Sequence, residues 1–121
     1  KMVKRTGPQS LELQTLIREL RKLGSKEKSA LWKRVAEDLE KPTRIRRKVN
    51  LYKIEKVLRK DETAVVPGKV LSLGEYTKKN SIAAYQFSEG ARKKIDKTGK
   101  AISIHQLMKE NPKGKKVRIV G

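Results

Sequence analysis

The sequence predicts a mixed α/β (α+β) protein in which an N-terminal helical pair precedes short β segments that alternate with short helices. Three observations carry this. Apolar residues recur at helical spacing between Leu13 and Leu39. Beyond Glu62 that spacing gives way to short runs rich in Val, Ile and aromatic side chains. The length of 121 residues with 36% apolar content supports one modest core and scarcely two.

Taken in chain order, residues 1–9 carry Lys1, Lys4 and Arg5 with no acid, and Gly7-Pro8 marks them as a basic arm. Ser10 is a helix N-cap residue type, and Leu13, Leu16, Ile17, Leu20 and Leu23 form one stripe that should stop at Gly24. Ser25 is the expected cap of a second helix bearing Leu31, Val35, Ala36 and Leu39, with Trp32 beside the stripe and Lys41-Pro42 as its breaker. A loop over 41–48 follows. Asn50 is then the expected cap of a shorter helix with Leu51, Ile54, Val57 and Leu58 inward, Val49 acting as a hydrophobic staple on Ile54. These elements make up a helical region over 10–60.

The remainder, 61–121, reads as a mixed β/α region packed on the helices as a single globular unit. Strands are expected over 63–66, 69–72, 82–87, 101–103 and 116–120, with Pro67-Gly68 turning the chain between the first two. Ser88 is placed to cap a helix through Ala91 and Ile95 that Thr98-Gly99 closes. Residues 70–80 echo 101–111 as a strand, a capping Ser and a short helix, and Asn80 matches Asn111.

Charge points to the partner. The 32 Lys and Arg outnumber 13 Asp and Glu, leaving a net +19 that opposes compaction unless a polyanion neutralises it. Nucleic acid has the charge density required. The three acid-free segments 1–8, 41–48 and 112–121 hold twelve cations in 26 residues. Concentration outside helices favours flexible phosphate contacts over general solubility, so the candidate RNA-binding residues are Lys4, Arg5, Lys41, Arg44, Arg46, Arg47, Lys48, Lys113, Lys115, Lys116 and Arg118. Arginine suits the bidentate grip, and the C-terminal lysines act as point charges. The six acids before residue 49, Glu12, Glu19, Glu27, Glu37, Asp38 and Glu40, mix with cations on helices and read as solvated pairs. Aromatic residues are only 4% of the chain, too few for a base-stacking platform, so most are expected in the core. Recognition of folded RNA by backbone shape is the expected mode.

Other function classes lack residues to support them. With no cysteine, thiolate nucleophiles, disulfides and Cys-based zinc clusters are excluded. The single histidine, His105, reads as a surface or packing residue. Gly68-Lys69 lacks P-loop spacing, and the glycines form no dinucleotide fingerprint. No catalytic residue, metal site, cofactor or small-molecule substrate is expected. Residues 1–9 lack a signal-peptide core and no run of about 20 apolar residues occurs, so a cytoplasmic protein is expected.

Three stretches then narrow the polyanion: Pro67-Gly68-Lys69-Val70-Leu71, Ile82 through Ala91, and Glu110-Asn111-Pro112-Lys113-Gly114. With Lys4 through Pro8 and Trp32 through Ala36, they resemble the archaeal and eukaryotic large-subunit ribosomal protein eighteen family, related to bacterial large-subunit protein fifteen. The resemblance implies a non-enzymatic constituent of the large subunit bound to large-subunit ribosomal RNA and neighbouring ribosomal proteins. It also implies a C-terminal irregular superhelix of β-β-α turns, of the protein-fifteen type. The competing reading is a nucleoid or chromatin-type DNA-binding protein using the helical pair as a helix-turn-helix.

Overall fold

A computed structural model describes residues 11–41 and 47–121. The elements in order are α1 (Leu11–Lys26), α2 (Ala30–Leu39), β1 (Arg47–Asn50), α3 (Leu51–Val57), β2 (Thr63–Leu71), β3 (Ser81–Phe87), α4 (Glu89–Thr98), β4 (Lys100–Ser103), α5 (Ile104–Glu110) and β5 (Val117–Ile119). The sheet runs β1-β2-β3-β4, with β5 also on β2, and every pairing is parallel. Because β3 occupies one edge of β2, β5 and β1 share the other: Thr63 to Val65 pair with β5, and Gly68 to Leu71 with β1.

Parallel strands are covered on both faces, which explains the nearly unbroken apolar run Ile82-Ala83-Ala84. Val65, Ala83 and Ile102 face α1, α2 and α5, whereas Ala64, Val66, Ile82 and Ala84 face α3 and α4. Each fully buried Leu or Ile in these layers, such as Leu20, Leu39, Ile54 and Ile95, contributes roughly 1.5–3 kcal/mol. The division between faces follows from crossover handedness. Stepping from β1 to β4 places α3, Tyr76 and α4 on one face, and the return from β4 to β5 places α5 on the other. Right-handed connections require that reversal.

Several local expectations change. Pro67-Gly68 is not a turn: β2 passes through it as one strand, with a register shift between Val66 and Lys69. A bulge accommodates the missing proline N–H. A Cβ on Gly68 would stand 2.1 Å from the Arg47 carbonyl oxygen, so the close approach of β1 demands glycine there. Arg47 and Lys48, expected in a loop, open β1. Helix α1 runs through Gly24 to Lys26 and encloses Ser25, leaving Ser29 as the residue before α2. The chain reverses at Lys28, φ 54°, while the Ser29 N–H donates to the Gly24 carbonyl at 2.9 Å. The Ser10 cap and the arm lie outside the described residues.

Other expectations hold. Ser88 accepts the Ala91 N–H at 3.2 Å, capping α4. Val49 and Ile54 share one apolar cluster, but Asn50 makes no side-chain cap bond to α3, its Oδ1 instead accepting the Leu73 N–H at 3.3 Å. The echo between 70–80 and 101–111 is partial: Ser103 caps α5, accepting the Gln106 N–H at 3.0 Å, but no helix follows Ser72. Gly74 at φ 101° leaves helical geometry there. Asn80 and Asn111 do share a role, each tying a neighbouring loop through its side-chain amide.

Candidate nucleic-acid interface

The C-terminal lysines sit on an ordered turn, not a flexible tail. Beyond α5, the Asn111 N–H donates to the Leu107 carbonyl at 2.8 Å. The Asn111 side chain brackets Lys115, its amide nitrogen 2.8 Å from the Lys115 carbonyl and its oxygen accepting the Lys115 N–H at 3.2 Å. The buried Trp32 indole N–H donates to the Pro112 carbonyl at 2.7 Å, locking the turn onto α2. The Thr63 N–H then donates to the Lys116 carbonyl at 2.9 Å as β5 begins. Lys113, Lys115 and Lys116 are thereby held exposed, without an ion-pair partner among the described residues. Their ammonium groups are available to an external anion at little ordering cost to the backbone.

Arg118 differs. Its Nε and Nη2 donate to the two Glu62 oxygens at 2.7 and 2.9 Å, a bidentate pair that ties β5 to the start of β2. The Arg118 hydrogen bonds, with a further one from the Arg59 N–H, hold the Glu62 carboxyl down at about 2, and Arg118 is pushed up in return.

A second cationic cluster surrounds Asp38, the single buried acid among the described residues. Arg47 donates to Asp38 Oδ2 from Nε at 3.1 Å and Nη2 at 2.9 Å. Lys41 Nζ lies 3.1 Å from Oδ1, and Arg34 Nε lies 4.0 Å from Oδ2. One carboxylate at the end of α2 therefore fastens both residues that flank the segment 42–46. Lys48 is exposed, on the side of β1 opposite the buried Val49. Lys4, Arg5, Arg44 and Arg46 lie outside the described residues.

Many cations lie outside the acid-free segments, and these divide by use. Lys94 donates to the Ser72 and Gly74 carbonyls at 2.9 and 2.8 Å, and Lys78 to the Leu58 carbonyl, so both are structural. Arg92 lies 4.9 Å over the Phe87 ring. Lys53, Lys56, Lys97 and Lys100 point outward. Single-residue sequence signals separate none of these, because the distinction depends on which carbonyls the fold brings near.

His105 is exposed and pairs with Glu19, Nε2 to Oε1 2.8 Å, beside a shallow hollow of about 580 Å³ between α1 and α5. Its polar lining is Glu19, His105 and three lysines, an arrangement suited to surface pairing. Among the described residues, no three His, Asp or Glu side chains gather as a metal site, and no helix is long and apolar enough to cross a membrane.

Comparison with known proteins places this surface in context. The family described as "Ribosomal protein 60S L18 and 50S L18e" matches residues 1–120. Proteins named large ribosomal subunit protein eL18 are similar along most of their lengths. The one from Archaeoglobus fulgidus is 47% identical over 109 residues, 89% of this chain and 93% of that protein. That from Haloarcula marismortui is 44% identical over 108 residues, with the same coverage of 89% and 93%. The Sulfurisphaera tokodaii protein is 42% identical over 120 residues, 98% of each chain. The chain belongs to the family of 60S L18 and 50S L18e ribosomal proteins, whose role in the large subunit is structural and not enzymatic.

Proposed function

We propose that this protein is a constituent of the large ribosomal subunit that binds large-subunit ribosomal RNA through Lys and Arg contacts to the phosphate backbone, alongside neighbouring ribosomal proteins. The observation that carries the reading is the ordered turn over Lys113, Lys115 and Lys116, three exposed ammonium groups on a hydrogen-bonded frame in a chain of net charge +19. Lys4, Arg5, Lys41, Arg44, Arg46 and Lys48 belong to the same RNA-facing set. Arg47 and Arg118 join it, and these two and Lys41 have a second task, since each is anchored to a carboxylate. The helical region up to residue 60 and the region 61–121 act as one globular unit, a reading supported by β1 pairing with β2 across that boundary. The arrangement is read as the protein-fifteen fold type, supported by the shared loop-tying role of Asn80 and Asn111.

A DNA-binding helix-turn-helix receives no support from α2. Its first turn is Ala30, Leu31, Trp32 and Lys33, with Trp32 buried, so it offers few base-reading groups. The test is a salt titration of binding to in vitro transcribed large-subunit ribosomal RNA. Replacing Lys113, Lys115 and Lys116 together with Ala is expected to reduce the log–log salt slope by about 0.7–0.9 for each phosphate that is no longer neutralised. An unchanged slope would reject this turn as part of the RNA interface.

A further inference from the structure

Among the described residues three large apolar side chains are exposed: Leu11, Tyr52 and Leu73. Leu11 adjoins residues outside the described ones, but Tyr52 and Leu73 are fastened to one another. The Tyr52 N–H donates to the Leu73 carbonyl at 3.0 Å, and the Leu73 N–H donates to Asn50 Oδ1 at 3.3 Å. Gly74 follows at φ 101°, where a Cβ would lie 2.6 Å from Tyr52 Cβ and 2.7 Å from its backbone nitrogen. Only glycine allows that approach. Lys94 holds the same turn from below through the Ser72 and Gly74 carbonyls.

The backbone under the two side chains is therefore fixed, while the side chains contribute little to the core: Tyr52 is 56% and Leu73 64% exposed. Of the five aromatic residues, Tyr52 alone is exposed; Trp32 and Tyr76 are buried and Tyr85 and Phe87 half-buried. Lys56 lies one helical turn along α3 on the face of Tyr52, and Lys53 adjoins it. Both lysines are exposed and outside any ion pair among the described residues. An exposed aromatic ring and an exposed leucine on a shared backbone turn, with two ammonium groups outside any ion pair among the described residues, match one nucleotide, its base on the ring and its phosphate on a lysine.

We propose that Tyr52, joined through its backbone to Leu73 and accompanied on α3 by Lys53 and Lys56, is a stacking contact for an unpaired base of ribosomal RNA. This rests on the RNA-binding reading above and adds a base contact to the phosphate contacts proposed there.

The experiment compares the full chain with Tyr52→Ala, Tyr52→Phe and Lys56→Ala in a salt titration against in vitro transcribed large-subunit ribosomal RNA. Tyr52→Ala is expected to weaken binding about five- to hundred-fold with an unchanged salt slope, and Tyr52→Phe to bind as the parent does. Lys56→Ala is expected to lower the slope by about 0.7–0.9. The thermal midpoint of Tyr52→Ala should match the parent, because the ring is exposed. Parent-like binding by Tyr52→Ala overturns the stacking role while leaving phosphate binding intact, as does photocrosslinking of Tyr52 to a neighbouring protein in assembled subunits. Absence of salt-dependent binding by the parent overturns both readings.

Discussion

Replacing Asp38 with Asn should be among the most destabilising isosteric changes in this chain. The carboxylate is 4% exposed and accepts two bonds from Arg47, whose side chain is 20% exposed. Lys41 and Arg34 also face it, but at 49% and 61% exposure each adds at most a few tenths of a kcal/mol. Breaking a buried pair by removing one partner costs about 3–5 kcal/mol, chiefly because the remaining charge is left uncompensated. Arg47 retains some exposure to water, so the low end applies, about 3 kcal/mol in total. For a chain of this size that lowers the thermal midpoint by about 12 °C, at about 4 °C per kcal/mol. Circular dichroism melts of the parent, Asp38→Asn and Asp38→Asn/Arg47→Met would measure it. The double variant should recover most of the loss, since methionine leaves no charge to satisfy. An Asp38→Asn midpoint within about 2 °C of the parent, or a double variant no better than the single, would refute the argument.

Two further outcomes follow from the geometry. Glu62 is held at about 2, below its usual 4.5, so the Arg118–Glu62 contribution to stability is present above pH 4.5 and declines as pH falls from there through 2. Urea unfolding across pH 6 to 2 should therefore show the parent losing its advantage over Glu62→Gln in that window; a constant difference would exclude the linkage. Gly68→Ala should destabilise by about 3 kcal/mol, because its methyl group would enter the Arg47 carbonyl and part β1 from β2. Chemical denaturation of that variant checks the magnitude, and a loss under about 1 kcal/mol would mean that the strands separate at little cost.

Helical periodicity places α1, α2 and α3 within a few residues, because each buries a single stripe. The Val- and Ile-rich runs likewise locate β2, β3, β4 and β5. Ser88 and Ser103 act where capping chemistry puts them. By contrast, Pro67-Gly68 carries the usual marks of a turn and lies inside a strand. The deciding fact is the neighbouring backbone of β1, which needs a residue without a side chain. Arg47 belongs to a basic run in sequence, yet a buried aspartate nine residues earlier claims its guanidinium. Among the basic residues of the C-terminal segment, sequence alone could not distinguish Lys115, whose ammonium has no ion-pair partner among the described residues, from Arg118, bound to a carboxylate 56 residues away.

By itself the sequence determined that the chain is α/β, carries a large positive excess, lacks cysteine chemistry and resembles a ribosomal family. These properties belong to composition, local periodicity and short motifs, which are read along the chain. Tertiary structure decided that all strands run parallel, that the faces divide α1, α2 and α5 from α3 and α4, and that Tyr52 alone among the aromatics stands outside the core. It also decided which cations remain available to an external anion. Those features depend on pairings between residues distant in sequence, where the burial of a partner or the approach of one backbone to another sets the energy.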